Sequence, residues 1–94
     1  MSEARADNHI LSSLAAYEAM LGLSSGQTAR WENLLAKIIE GTLMHVVMQA
    51  AGCAEGYALG LRDAGVITDI QRDRMARVVM AVTADKVQGL PNDA

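Results

Sequence analysis

The chain lacks phenylalanine and has a single proline, and its aromatic residues are one tryptophan and two tyrosines among 94 residues. Alanine, leucine, valine and methionine are left to fill the interior, a composition that favours helices over sheets. Apolar residues still make up 51% of the chain, enough for one modest core. The composition therefore predicts a single all-α domain over residues 1–94, marginal as a monomer and better stabilised as a homodimer.

Other scarce features limit where the protein acts. Cys53 is the only cysteine, so no intramolecular disulfide can form, which fits a reducing compartment. The net charge of −3 argues against a general nucleic-acid binder. Residues 2–7 do not resemble a secretory signal, and the most apolar run, residues 42–54, is too short to span a bilayer. We expect a cytoplasmic protein that binds neither membranes nor nucleic acid directly.

Two capping boxes mark helix starts, because each places glutamine three residues after a serine or threonine. They are formed by Ser24 with Gln27 and by Thr68 with Gln71. Gly65 suits the left-handed position that follows a helix end. These signals predict helices over about residues 8–21, 25–64 and 68–88, with loose ends at residues 1–7 and 89–94.

The second of these helices is unusually long for so small a protein. Nothing between residues 25 and 64 firmly stops it, and at 1.5 Å per residue it would be roughly 57 Å long. Such a length exceeds the width of a globule of this size. We therefore predict a long central helix, continuous or kinked at Gly41 or Gly52, packed in a homodimeric bundle.

Gly52, Gly56 and Gly60 lie four residues apart, so on a helix they form one ridge. Each costs about 1 kcal/mol relative to alanine in a helix interior. Close packing of another helix against the bare backbone would offset this cost, either from another subunit or from the chain's own first or third helix. The prediction of a binding protein rests on a helix lying against this ridge rather than open water.

Residues that could carry chemistry are few and scattered. His45, Gln49 and Cys53 share one helix face, but two metal ligands on one helix are short of a tetrahedral zinc set. A nucleophilic Cys53 would need an adjacent base, and His45 is two turns away. Phosphate-binding loops and Glu-x-x-His pairs are absent from the sequence. We predict no enzymatic activity, no cofactor and no metal site.

A group of arginines near the start of the last helix has three interpretations. A helix-turn-helix that contacts DNA is the least favoured, because Asp69 and Asp73 would meet phosphates unfavourably. Arg72, Arg74 and Arg77 could pair with carboxylates of a protein partner, since arginine is enriched at interfaces. Alternatively they form a solvated face, with Asp73 paired to Arg77 one turn on.

The predicted partner or dimer interface combines the central helix with this arginine group. One face would hold the dimer and another the target, and the pattern does not say which is which. The predicted interface consists of Leu43, Val47, Gln49, Ala50, Gly52, Ala54, Gly56, Tyr57, Gly60, Arg72, Arg74 and Arg77.

An all-helical chain with a long central helix and a sequence pI near 5.2 resembles small bacterial and phage inhibitor proteins. These include quorum-sensing anti-activators, which block dimerisation of LuxR-type transcription regulators, and helical anti-CRISPR proteins. The resemblance implies a non-enzymatic, homodimeric inhibitor that sequesters a regulatory protein. One alternative is a structural or accessory subunit of a larger, phage-encoded assembly. Another is a small helical enzyme similar to chorismate mutases, which would need converging charged groups in a pocket.

Overall fold

The computed structural model describes residues 22–91, which fold into three packed helices. We label them α1 (Ser25–Glu40), α2 (Met44–Asp63) and α3 (Asp69–Gln88). The described residues contain no strand, so the predicted all-α class is confirmed. The predicted helix over residues 8–21, the predicted loose segment 1–7 and the last residues of the predicted loose end at 89–94 lie outside the described residues.

The predicted single helix over residues 25–64 is wrong, because the chain reverses between α1 and α2. Gly41 and Leu43 both adopt extended backbone conformations, with φ/ψ of −64°/141° and −120°/143°. Near this turn Val47 lies against Gly41, and farther along the hydroxyl of Tyr57 donates a hydrogen bond to the carbonyl of Gln27. The two helices therefore run antiparallel. Gly52 lies inside α2, which is not interrupted there.

The chain reverses at Gly41 because the apolar faces of α1 and α2 bury each other. Trp31 and Ile38 lie on the face of α1 and Val47 on the face of α2, and in one straight rod neither face would be covered. Folding back brings both into one core that also receives α3 and the loop residue Ile67. The buried residues are Trp31, Leu35, Ile38, Val47, Ala51, Ala54, Ala58, Leu61, Ile67, Met75, Val78 and Val79.

The helix-end signals predicted at Ser24, Thr68 and Gly65 are confirmed. Both capping boxes form, with Ser24 Oγ accepting from the backbone N–H of Gln27 and Thr68 Oγ1 from that of Gln71, each at 3.1 Å. Gly65 has φ +77°, and the N–H of Val66 donates to the carbonyl of Leu61, as in a Schellman motif. Local chemistry alone therefore sets where α1 and α3 begin and where α2 ends.

Removing the α3 cap should measurably destabilise the fold. We expect Thr68→Ala to lower the free energy of unfolding by about 0.5–2 kcal/mol, because the backbone N–H of Gln71 loses the hydroxyl that accepts its hydrogen bond. Thr68→Ser keeps the hydroxyl and should change the stability by less than half as much. Urea denaturation followed by circular dichroism measures both variants. Equal losses in the two would show that the cap hydrogen bond is not the cause.

Candidate protein-binding surface

Large hydrophobic side chains are exposed at the end of the molecule where α1 turns into α2. Among the described residues, five of the eight exposed large hydrophobic side chains lie within residues 39–48. Single exposed apolar residues are ordinary, but five of them within one ten-residue stretch at a chain reversal are typical of a binding site. We call this cluster the junction patch; it consists of Ile39, Leu43, Met44, Val46 and Met48.

An open groove of about 420 Å³ lies beside the junction patch, between the second half of α1 and the first half of α2. Val46 belongs to both features. Lys37 and Glu40 supply one positive and one negative charge on the α1 side. A mostly apolar groove between two helices suits an apolar side chain presented by another protein's helix. The lining residues are Leu34, Lys37, Glu40, Gly41, Val46, Gln49, Ala50 and Cys53.

The ridge of Gly52, Gly56 and Gly60 lies on the side of α2 that faces away from the core. At 3.6 residues per turn these positions are opposite Ala54 and Ala58, which are buried. A Cβ built at any of the three would have no neighbour within 4 Å. The predicted alternative of packing against the chain's own third helix is therefore wrong. The predicted first helix lies outside the described residues, and packing against another subunit stays a prediction.

This exposure removes the original support for a binding function, because no helix of residues 22–91 lies against the ridge. By itself the ridge is only a bare, solvent-facing strip. The junction patch and its groove now provide the stronger argument, since they combine exposed apolar side chains with a concave shape.

Several predicted interface residues take other places in the fold. Val47 and Ala54 are fully buried in the chain's own core, so in the folded chain they offer no surface to a partner. Ala50 is half-buried at the groove, and Tyr57 is half-buried against α1. Leu43 is exposed at the junction, as predicted. The spacing of the apolar residues indicated which of them share a face of α2, but it did not indicate that α1 would cover that face.

The sequence pattern missed most of the junction patch and the whole α1 side of the groove. In one continuous helix, Lys37 and Gln49 would be about 18 Å apart at 1.5 Å per residue. The reversal at Gly41 instead places both at one groove. The only sequence signal for the reversal was Gly41 followed by Thr42. This signal does not distinguish a turn from a helix, because glycine also occurs inside a helix of this chain.

The arginines of α3 do not form a rim for this surface. None of Arg72, Arg74 and Arg77 lines the groove. Arg72 pairs with the adjacent Asp73 at 2.9 Å, so the predicted pairing of Asp73 with Arg77 is wrong. These residues belong to a charged face of α3, separate from the junction patch.

Residues 22–91 provide no group of three or more histidine, cysteine, aspartate or glutamate side chains that could hold a metal ion. His45 and Cys53 are both exposed on α2. In the groove, one lysine and one glutamate are the only charged lining residues that the structure describes. None of the described helices is both long and apolar enough to cross a membrane.

Comparison with protein-family models, with curated proteins and with solved structures finds no match to this chain. The surface of the chain itself is therefore the basis for a functional proposal.

Proposed function

We propose that this chain is a non-enzymatic, protein-binding inhibitor, an anti-activator that sequesters a regulatory protein. The observation that supports the proposal is the junction patch beside the groove. Exposed apolar surface next to a concave site suits a protein partner, because burying it on binding is favourable by roughly 25 cal/mol per Å². A transcription regulator that dimerises through an apolar helix would present a matching surface.

The groove suggests how such a target is held. An amphipathic helix of the target would insert an apolar side chain between Leu34 and Val46, both of which line the groove. Lys37 and Glu40 would then lie beside the target's polar flank and favour one orientation through opposite charges. Because a regulator's dimer helix can occupy only one partner at a time, binding here would block dimerisation.

Leu43→Asp should weaken target binding without unfolding the chain. Leu43 is exposed and is the N-cap of α2, where it provides no side-chain hydrogen bond. Aspartate is a preferred N-cap, so this variant should gain up to about 1 kcal/mol of stability. It would nevertheless place a charge in the junction patch, and we expect target affinity to fall at least about tenfold, or 1.4 kcal/mol. The matched control is Ile70→Asp, which changes an exposed hydrophobic residue at the start of α3.

The measurement has two stages. The wild-type chain captures its target from an extract of its native cells, and the purified target is then titrated with wild type and both variants by calorimetry. Next, sedimentation follows the target's own dimer as wild-type chain is added, and we expect that dimer to dissociate. Undiminished binding by Leu43→Asp contradicts the proposed surface. A target whose assembly stays intact with the chain bound supports the alternative, a structural or accessory subunit.

A further inference from the structure

The outer face of α2 carries apolar and charged side chains as well as glycines. Met48 and Leu59 on this side are 52% and 42% exposed. His45 lies near the start of the same helix and Asp63 at its last position, and both are exposed. No part of the described chain covers the three glycines between them. The face therefore has a bare centre, two large apolar side chains and a histidine and an aspartate at opposite ends.

We propose that a second copy of this chain binds this face, with the two α2 helices antiparallel about a two-fold axis next to residue 54. In such a pair, two residues face each other when the midpoint between them falls at the axis. Gly52 then meets Gly56 of the second copy, and Met48 comes within one residue of facing Leu59 of the second copy. The inference extends the proposed function, on which it rests for the division of surfaces. The outer face, including Met48 of the junction patch, binds the second copy, and the groove with the rest of the patch is left for the target.

Helix geometry supports this register, because paired positions must also lie on the same side of the helix. His45 and Asp63 are separated by about five turns at 3.6 residues per turn. Met48 and Leu59 are separated by about three turns, and Gly52 and Gly56 by about one. Each pair therefore lies close to one line of the helix. A single antiparallel register brings His45 to Asp63 and Gly52 to Gly56, and it leaves Met48 and Leu59 offset by one residue.

Charge favours the antiparallel arrangement over the parallel one. Antiparallel helices place His45 of one copy beside Asp63 of the other, at both ends of the contact. A parallel pair would set each residue against its own copy and bring two aspartates together. Asp63 contacts Arg62 through Oδ1 at 3.1 Å, and its side chain is 63% exposed. Its other carboxylate oxygen can accept an N–H from the second copy's His45.

The glycines explain how closely the copies approach. Without Cβ atoms at the centre, the two backbones can pack at the short end of the usual range of about 8–10 Å between helix axes. A single helix pair buries less than the roughly 1,200–2,000 Å² of a standard stable interface. The dimer should therefore dissociate on dilution.

Cysteine cross-linking tests the register. His45→Cys/Cys53→Ser and Asp63→Cys/Cys53→Ser are mixed in equal amounts and oxidised with diamide. We expect a covalent dimer in the mixture and little in either variant alone. Cross-linking of each variant with itself would show a parallel pair and overturn the proposal, as would the absence of any cross-link at concentrations where the wild-type chain is dimeric.

Sedimentation equilibrium of the reduced full chain tests whether the face associates at all. We expect a concentration-dependent dimer that Gly56→Leu weakens at least tenfold, because on each side of the axis a leucine would replace the glycine that lies against Gly52 of the other copy. Gly26→Leu is the control, since Gly26 is exposed on α1, and it should leave the dimer unchanged. Circular dichroism checks that both variants fold.

Other outcomes are also decisive. A wild-type chain that stays monomeric overturns the inference. If, in addition, Gly56→Leu has a lower melting temperature than that monomeric wild type, the face would be assigned to packing against residues 8–21 instead. A dimer that Gly56→Leu leaves intact overturns it too. Loss of target binding in Leu43→Asp tests the groove separately, so a monomeric chain that still binds its target would leave the proposed function standing.

Discussion

Ile38→Ala should lower the free energy of unfolding by about 2–5 kcal/mol, a large fraction of the roughly 5–15 kcal/mol that stabilises a native domain. Ile38 is 0% exposed and lies in the core near the end of α1. Its removal leaves a cavity between α1 and its neighbours as well as losing buried apolar area. Thermal and urea denaturation, followed by circular dichroism, measure the change.

The adjacent Ile39 is the matched control, because it has the same side chain on the same helix but is 56% exposed. We expect Ile39→Ala to change the stability by no more than about 0.5 kcal/mol. Similar losses at both positions would mean that α1 is rotated relative to the core described here. A small loss at Ile38 alone would show that α1 contributes little to the fold.

The sequence predicts the ends of these helices better than their arrangement. Ser24, Thr68 and Gly65 act through hydrogen bonds and backbone angles within a few residues, so their roles can be read from neighbouring positions. The buried stripe of Trp31, Leu35 and Ile38 also follows from spacing alone, since helical periodicity reports which residues share a face.

Which helix covers each apolar face depends on residues far apart in the sequence, and on this point the predictions were wrong. A chain reversal at Gly41 and a helix continuing through Gly52 look alike in sequence, because both glycines stand among helix-forming residues. The difference arises from burial of Ile38 and Val47 in the same core, a contact that exists only after folding. The predicted interface was wrong for the same reason. Val47 and Ala54 were predicted to contact a partner, but they are buried in the chain's own core.

Gly41→Ala should therefore destabilise the protein, although alanine is the better residue in most helical settings. With φ −64°, Gly41 needs no glycine-specific backbone angle. A Cβ there would instead lie 2.8 Å from Cγ2 of Val47, a fully buried residue whose branched side chain has few alternative rotamers. We expect a loss of about 1–3 kcal/mol in the free energy of unfolding.

The control for Gly41→Ala is Gly26→Ala, because Gly26 lies in α1, where the nearest atom to an added Cβ is Ser24 Oγ at 4.0 Å. Alanine there should raise the stability by up to about 1 kcal/mol through helix propensity. The same substitution would thus have opposite signs at two glycines, as measured by urea denaturation. If Gly41→Ala were stabilising as well, residues 25–64 would be closer to the continuous helix than to the reversal, and the groove between α1 and α2 would not exist.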